Sequence, residues 1–185
     1  MNLRSSNRHY QPPQIRMPNK PVIYFAGKIT PNCWRHDLIP SFRSATSSDG
    51  PKDCGTFFCA GPFFVSCDHQ CRHGDTSHGV LGIGCESEIQ ETRGKVFEKN
   101  QKALESADLV FAYIDASDCF GTLVELGFAA RTGIPIFIVF GPAVDFNEFW
   151  YAQQLAVNSH SDVTVMSREN LPAFFRAFIA GMISK

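Results

Sequence analysis

Residues 108–115 read DLVFAYID, and residues 121–127 read GTLVELG. The apolar run Leu109–Ile114 has no polar alternation, which predicts a strand buried on both faces, as in a parallel sheet covered by helices. The helix predicted after the glycine turn is almost wholly apolar apart from Glu125. Because ligands of open α/β sheets bind at the carboxyl ends of the strands, we expect a site at this point. The residues expected to line it are Asp115, Asp118, Gly121, Thr122 and Glu125.

Apolar runs elsewhere predict four more strands, separated by helical patterns. This alternation predicts an α/β fold with a single-domain, doubly wound, five-stranded parallel sheet, flavodoxin-like (Rossmann-like), in the order 2-1-3-4-5. The first and third strands then flank the point where the strand order reverses, so the turn at Gly27 faces the same crevice as Gly121. The five strands are expected at residues 22–27, 56–60, 109–114, 135–140 and 162–166.

The composition bounds the domain count and the class of ligand. A chain of 185 residues with 44% hydrophobic content can bury the core of one domain. We assign residues 1–20, basic and proline-containing, to a flexible arm, and residues 21–185 to the domain. The net charge of −1 argues against a general nucleic-acid surface, so a small-molecule ligand is expected. The apolar runs are too short for a membrane helix and the N-terminus lacks an apolar leader, which predicts a soluble, cytoplasmic protein.

The turn at Gly27 is not a dinucleotide-binding fingerprint. It reads GKITP at residues 27–31 and lacks the further glycines that such a turn needs. A P-loop is absent as well. We therefore expect no cofactor, and chemistry on a small ligand by side chains alone.

Glu125 and Asn100 are the two polar residues on otherwise apolar helical faces. Thr122 and Glu125 have the spacing of a capping box, in which the glutamate would only stabilise the helix start. Burying an acid among apolar neighbours is costly, however, and this favours a site. Asn100 shares a stripe with Val96 and Leu104, so it is expected to point either to the crevice or to the core as a satisfied amide.

Three segments resemble the nucleoside 2-deoxyribosyltransferase superfamily, which includes nucleoside deoxyribosyltransferases and deoxynucleoside 5'-monophosphate N-glycosidases. The most specific is residues 118–129, DCFGTLVELGFA, and the other two are residues 23–29, IYFAGKI, and residues 107–110, ADLV. They span most of the domain in the family's order. The resemblance implies a glycosyltransferase or N-glycoside hydrolase that acts on a nucleoside or nucleotide.

The resemblance also implies roles for individual residues. Glu125 matches the family's nucleophile, which attacks the anomeric carbon and forms a glycosyl-enzyme ester. Tyr24 matches a tyrosine that orients the nucleophile, although it is equally interpretable as a core aromatic. Asn100 stands where many members carry an aspartate that handles protons on the leaving base, and an amide cannot do so. Cys119 stands where transferases have an aspartate that holds the sugar and monophosphate glycosidases have a serine that contacts phosphate. The resemblance therefore leaves open whether the protein is a transferase or a monophosphate glycosidase.

The segment from Gly61 to Gly84 is rich in cysteine, histidine and aromatic residues, and it follows the second strand. One interpretation is a zinc site, but the spacing lacks paired Cys-x-x-Cys ligands, so we predict no metal. The preferred interpretation is a substrate lid. There, an aromatic side chain would stack on the base, and the basic side chains would bind phosphate or protonate the leaving base. The residues expected to do this are Phe63 or Phe64, His69, Arg72, His73 and His78. A solvated polar loop is the structural alternative.

Two further expectations concern partners and function. The aromatic content of the segment around Trp150 and Tyr151 exceeds what one helix face would bury, which favours a homodimer or higher homo-oligomer over simple core packing. Two functional alternatives stand beside nucleoside chemistry. One is an N-glycosidase acting on NAD or another nucleotide in a toxin or defence setting, and the other is a nucleotide-binding module without turnover.

Overall fold

The computed structural model describes residues 19–30, 33–39, 50–62, 93–159, 161 and 163–183. In these residues the strands and α-helices follow in the order β1 Val22–Ala26, α1 Arg35–Leu38, β2 Lys52–Asp53, β3 Phe58–Gly61, α2 Arg93–Glu105, β4 Leu109–Ile114, α3 Phe120–Thr132, β5 Ile136–Phe140, α4 Trp150–Asn158, β6 Val163–Val165 and α5 Leu171–Ile183. Short 3-10 turns, Phe146–Phe149 and Arg168–Asn170, precede α4 and α5. No helix in the described ranges is both long and apolar enough to span a bilayer.

The strands form one mixed, mostly parallel sheet in the order β2-β3-β1-β4-β5-β6. β1 pairs in parallel with β3 on one side and with β4 on the other, and β4, β5 and β6 continue in parallel. The strands that follow β1 in sequence, β2 and β3, therefore lie on one side of it, and β4, β5 and β6 lie on the other side. The strand order reverses between β1 and β4, which is where ligands of such sheets bind.

The α/β class was predicted, but the five-stranded, all-parallel sheet in the order 2-1-3-4-5 is not confirmed. The described sheet has a sixth strand, β2, which pairs antiparallel with β3 at the edge. β2 is only two residues long and polar, and a tight turn at Gly55 (φ +89°) joins it to β3. A strand so short has no apolar pattern, so the sequence could not reveal it.

Helices cover both faces of the sheet. The central strands β4 and β5 are buried along their whole length, as the unbroken apolar sequence predicts. On one face α1 and α5 pack on alternate side chains such as Phe25, Phe111 and Phe137. On the other face α2, α3 and α4 pack on the intervening side chains, which include Tyr24 and Val110. This alternation directs Tyr24 toward α3, where Glu125 lies.

Candidate active site

A cleft of about 500 Å³ opens at the strand-order reversal, on the face covered by α2 and α3. The loop after β1 contributes Gly27–Ile29, and Pro62 follows β3. α2 supplies one wall, and the start of α3 with the loop before it supplies another. The volume suits a small molecule.

Glu125 lies in this cleft and accepts a hydrogen bond from the hydroxyl of Tyr24. The distance from Tyr24 Oη to Glu125 Oε1 is 2.5 Å. Tyr24 is fully buried in β1, whereas Glu125 is half-buried in α3 and lines the cleft. Two residues 101 positions apart in sequence are thus joined where β1 and α3 meet. The capping-box alternative is wrong, because Cys119 is the N-cap residue of α3 and Thr122 is already inside the helix.

Burial governs the protonation of both partners. It raises the pKa of Glu125 to about 7, against the opposing effects of the Tyr24 hydrogen bond and the Arg35 charge. Burial, together with the nearby Glu125 carboxylate, also raises the pKa of Tyr24 well above its usual range. The tyrosine therefore keeps its proton and acts as the donor. At neutral pH the Glu125 carboxyl group exchanges between its charged and neutral forms, which suits a nucleophile or an acid–base group.

An ion pair closes one side of the cleft. Lys28 Nζ lies 2.5 Å from Asp118 Oδ2 and joins the loop after β1 to the loop before α3. Both side chains are exposed to solvent. The hydrogen bond from Lys28 lowers the pKa of Asp118, so this carboxylate is ionised at neutral pH. The pair offers a ligand both a cationic donor and an anionic acceptor at the same point.

The loop after β1 can take its path only because residue 27 is glycine. Gly27 has φ +153°, and a Cβ built there would lie 2.7 Å from the carbonyl oxygen of Tyr113 and 2.8 Å from Trp34 Nε1. Any larger residue would push the loop away from the sheet. The glycine turn predicted to face the crevice therefore does line it.

Most predicted site residues in the described ranges line the cleft, and two do not. Tyr24 lies behind it and reaches it through the hydrogen bond to Glu125, whereas Asp115 lies elsewhere. Asp115 directly follows β4 and is exposed, and it lies next to Gly141 rather than among the residues that line the cleft. Those that line the cleft are Gly27, Asn100, Asp118, Cys119, Gly121, Thr122 and Glu125.

Cys119 is buried at the start of α3, and burial raises the pKa of its thiol. It is therefore protonated at neutral pH and packs as a small apolar group rather than serving as a thiolate nucleophile. Asn100 lines the cleft from α2, so the expectation that it points to the crevice agrees with the geometry.

The predicted lid residues lie outside the described residues. These are Phe63, Phe64, His69, Arg72, His73 and His78. The same holds for the cysteines and histidines of the zinc alternative, Cys67 and Cys71 included. In the parts of the chain that are described, no three His, Cys, Asp or Glu side chains cluster as metal ligands would.

Three features of the site were not predicted from the sequence. One is the ion pair between Lys28 and Asp118. Another is the apolar wall formed by the exposed side chains of Phe97 and Val124. The third is Arg35, which is buried behind the loop after β1. The position of Lys28 directly after the turn glycine was an available signal. Arg35 gave none, because an arginine in a short polar segment is usually exposed.

No protein-family model matches the chain, and no curated protein matches it significantly.

Proposed function

We propose that this protein cleaves or exchanges the N-glycosidic bond of a (deoxy)nucleoside or nucleoside 5'-monophosphate, with Glu125 as the nucleophile. The observation that carries the proposal is the 2.5 Å hydrogen bond from Tyr24 to Glu125 in a cleft at the strand-order reversal. The bond fixes one carboxylate oxygen and leaves the other for the substrate. The resemblance of residues 118–129 to the nucleoside 2-deoxyribosyltransferase superfamily supports the same assignment.

The proposed reaction has two displacements at the anomeric carbon. A Glu125 oxygen bonds to C1' while the C1'–N bond breaks, and the electron pair leaves with the base. The carboxylate stabilises the oxocarbenium-like positive charge that develops on the sugar as the C1'–N bond breaks. A second base nitrogen or a water oxygen then attacks C1' and releases Glu125. Water gives hydrolysis, and a base gives exchange.

The chemistry of the cleft walls suggests how such a substrate binds. Phe97 and Val124 offer apolar surface for a flat base, and the Asn100 amide can hydrogen-bond its edge. Lys28 and Asp118 can bind sugar hydroxyls, or Lys28 can pair with a phosphate if Asp118 is displaced. Asn100 cannot protonate the leaving base, so in this proposal the proton comes from another group or from water.

The direct test is to incubate the protein with deoxynucleosides, deoxynucleoside 5'-monophosphates and NAD, each with and without an acceptor base. Chromatography of the products then measures free base and exchanged nucleoside. Release without acceptor means a hydrolase, and exchange means a transferase. Release from NAD alone would instead favour the NAD-directed alternative. Glu125→Gln should abolish turnover, whereas Glu148→Gln, at an exposed carboxylate outside the cleft, should not.

A binding module without turnover is the second candidate, and the amide at Asn100 favours it. It predicts that nucleosides bind with no release of base under any condition. Calorimetric titration with the same ligands, combined with unchanged chromatograms, would identify this outcome. That result would contradict the enzymatic proposal.

We also propose that the protein forms a homodimer or a higher homo-oligomer. Trp150 and Tyr151 at the start of α4 are 63% and 65% exposed, and their rings contact each other at a centroid distance of 5.5 Å. Two large aromatic side chains held together in solvent are typical of a protein interface.

A further inference from the structure

Arg35 is a fully buried arginine on the opposite face of β1 from Glu125. It begins α1, which packs with α5, and its side chain is 0% exposed. A guanidinium group cannot lose its proton in a protein, so a positive charge is buried at this point. In the described parts of the chain, no carboxylate forms an ion pair with it. A buried charge is costly unless polar groups surround it, so the groups that Arg35 contacts among the described residues indicate what it does.

The guanidinium binds the backbone where β1 leaves the sheet. Its Nε and Nη2 atoms donate to the carbonyl oxygen of Phe25 at 2.8 and 2.6 Å, and Nη2 also donates to Gly27 at 2.8 Å. Nη1 donates to the Lys28 carbonyl at 3.3 Å and lies 2.8 Å from Cys33 Sγ. One side chain thus holds three carbonyls at the end of β1 and in the loop that lines the cleft. The orientation of Lys28 toward Asp118 depends on this loop.

The charge of Arg35 also reaches the Tyr24–Glu125 pair. It opposes the effect of burial by favouring the ionised form of Glu125, and it acts on Tyr24 in the same direction. The other titratable groups around Glu125 in the described chain are Tyr24 on β1, Lys28 after β1, and Asp118 and Cys119 before α3. Lys28 is exposed and already paired with Asp118, and α2 presents only the neutral Asn100 and Gln101. Among the described residues, Arg35 is therefore a buried cation whose charge acts on Glu125.

We propose that Arg35 is a positioning residue that holds the loop after β1 in place through the carbonyl oxygens of Phe25, Gly27 and Lys28. Its charge, in addition, favours the carboxylate form of Glu125 over the neutral acid. Arg35 touches neither the cleft nor the substrate, and it acts through the β1 backbone and through its charge. The catalytic significance of this role rests on the proposed function, but the two effects on Glu125 and on the loop are measurable without turnover.

The test separates charge from hydrogen bonding with two variants. Arg35→Gln keeps a donor for the carbonyls and removes the charge, whereas Arg35→Lys keeps the charge and loses the forked geometry. The pKa of Glu125 is followed by NMR titration of side-chain ¹³C-labelled glutamate, with Glu125→Gln used to assign the signal. We expect Arg35→Gln to raise this pKa by about half a unit or more and Arg35→Lys to change it much less.

Arg168→Gln is the matched control, because it removes a cation that pairs with Asp37 on α1 and is not among the groups that shift the pKa of Glu125. It should leave the Glu125 titration unchanged. An unchanged titration in a folded Arg35→Gln protein would overturn the proposal, as would equal shifts in Arg35→Gln and Arg168→Gln.

If Arg35→Gln does not fold, Arg35→Lys still decides the matter through the loop. A lysine cannot span three carbonyls, so amide hydrogen exchange at Gly27 and Lys28 should speed up at least tenfold while the Glu125 titration stays near that of the wild type. Unchanged exchange in Arg35→Lys would overturn the proposal. If the titration and the hydrogen exchange change as expected but the protein shows no turnover, the result contradicts the proposed function and not the role of Arg35.

Discussion

At the scale of single residues, the candidate site depends on one carboxyl group and the phenol that holds it. Glu125 is half-buried in α3, and Tyr24 donates to it from the fully buried strand β1. Burial raises the pKa of the acid, whereas the hydrogen bond lowers it. The balance between these two effects determines how much of the protein carries an ionised Glu125 at a given pH.

Removal of the Tyr24 hydroxyl should shift this balance toward the neutral acid. Tyr24→Phe removes the hydrogen bond that favours the carboxylate, so the acid limb of the pH–rate profile should move up by about one unit. Activity at pH 7 should fall by about fivefold, because the ionised fraction of Glu125 falls from about one half to about one eleventh, and it should recover at higher pH. The comparison is Tyr113→Phe, whose hydroxyl makes only a 3.5 Å bond to Met166 on the other face. Equal profiles for the two variants would contradict the role of Tyr24.

The raised pKa of Glu125 also predicts a pH-dependent cost in stability. The folded protein binds the Glu125 proton with a pKa of about 7, above that of a glutamate in an unfolded chain, about 4.3. Between these values the folded state holds the proton more tightly. The contribution of this group is thus present below pH 4.3 and is lost as pH rises through 7.

Glu125→Gln should therefore be more stable than the wild type at pH 8, by about 1–2 kcal/mol after allowance for solvent in the cleft. The difference should disappear near pH 4. Urea unfolding across this pH range measures it, with the exposed Glu148→Gln as the variant expected to show no pH-dependent gain. A Glu125→Gln protein that is less stable than the wild type at pH 8 would be the opposite of this expectation.

At the scale of elements, strands with long apolar runs could be predicted from the sequence, whereas a very short polar strand could not. β4 was predicted with its observed bounds, because six consecutive apolar residues fit only a strand buried on both faces. β2 escaped detection because two polar residues carry no pattern. Asp115 was placed in the cleft from its position after β4, but it is not among the residues that line the cleft.

The contacts of the site could be anticipated only in part. The segment around Glu125 was identifiable as an acid in an apolar helix at a strand end, and Tyr24 came only from the family resemblance. Their hydrogen bond joins residues far apart in sequence, so no local pattern encodes it. The Lys28–Asp118 pair was missed for the same reason, since it joins separate loops. Arg35 was missed although its contacts are local, because an arginine in a short polar segment is usually exposed.

The conformation of the loop after β1 depends on a single residue, Gly27. Gly27→Ala would bring a Cβ within 2.7 Å of the Tyr113 carbonyl oxygen and within 2.8 Å of Trp34 Nε1, at a backbone angle that L residues rarely adopt. We expect a loss of stability of about 2–3 kcal/mol, together with loss of ligand binding. Thermal unfolding and ligand titration measure the two effects.

Gly127→Ala is the matched comparison for Gly27→Ala. Gly127 lies within α3, and a Cβ there would meet nothing within 4 Å. Because alanine is the better helix former, this variant should equal or exceed the wild type in stability. Similar losses in both variants would show that the close approach at Gly27 is unimportant.

At the scale of the whole molecule, the candidate site and the exposed aromatic surface lie at different places on the sheet. The cleft lies between α2 and α3, where the strand order reverses. The exposed aromatic pair, Trp150 and Tyr151, begins α4 on the same side of the sheet. The proposed self-association would cover this pair.

Substitution of the aromatic pair should weaken self-association. We expect Trp150→Glu combined with Tyr151→Glu to shift the sedimentation-equilibrium mass toward the monomer and to raise the dissociation constant by at least tenfold. Val165→Glu, at an exposed apolar residue on the edge strand β6, should not do so. A wild-type protein that sediments as a monomer at all concentrations, or an effect of Val165→Glu alone, would contradict the proposal.

The central claim is that Glu125 forms a covalent bond with the sugar. The most direct measurement is mass spectrometry of peptides after the protein is mixed with a deoxynucleoside and quenched in acid within one turnover. We predict that the peptide containing Glu125 gains the mass of one deoxyribosyl residue, and that Glu125→Gln neither gains this mass nor releases base. Release of base at the wild-type rate by Glu125→Gln, or an adduct on another residue, would contradict the claim.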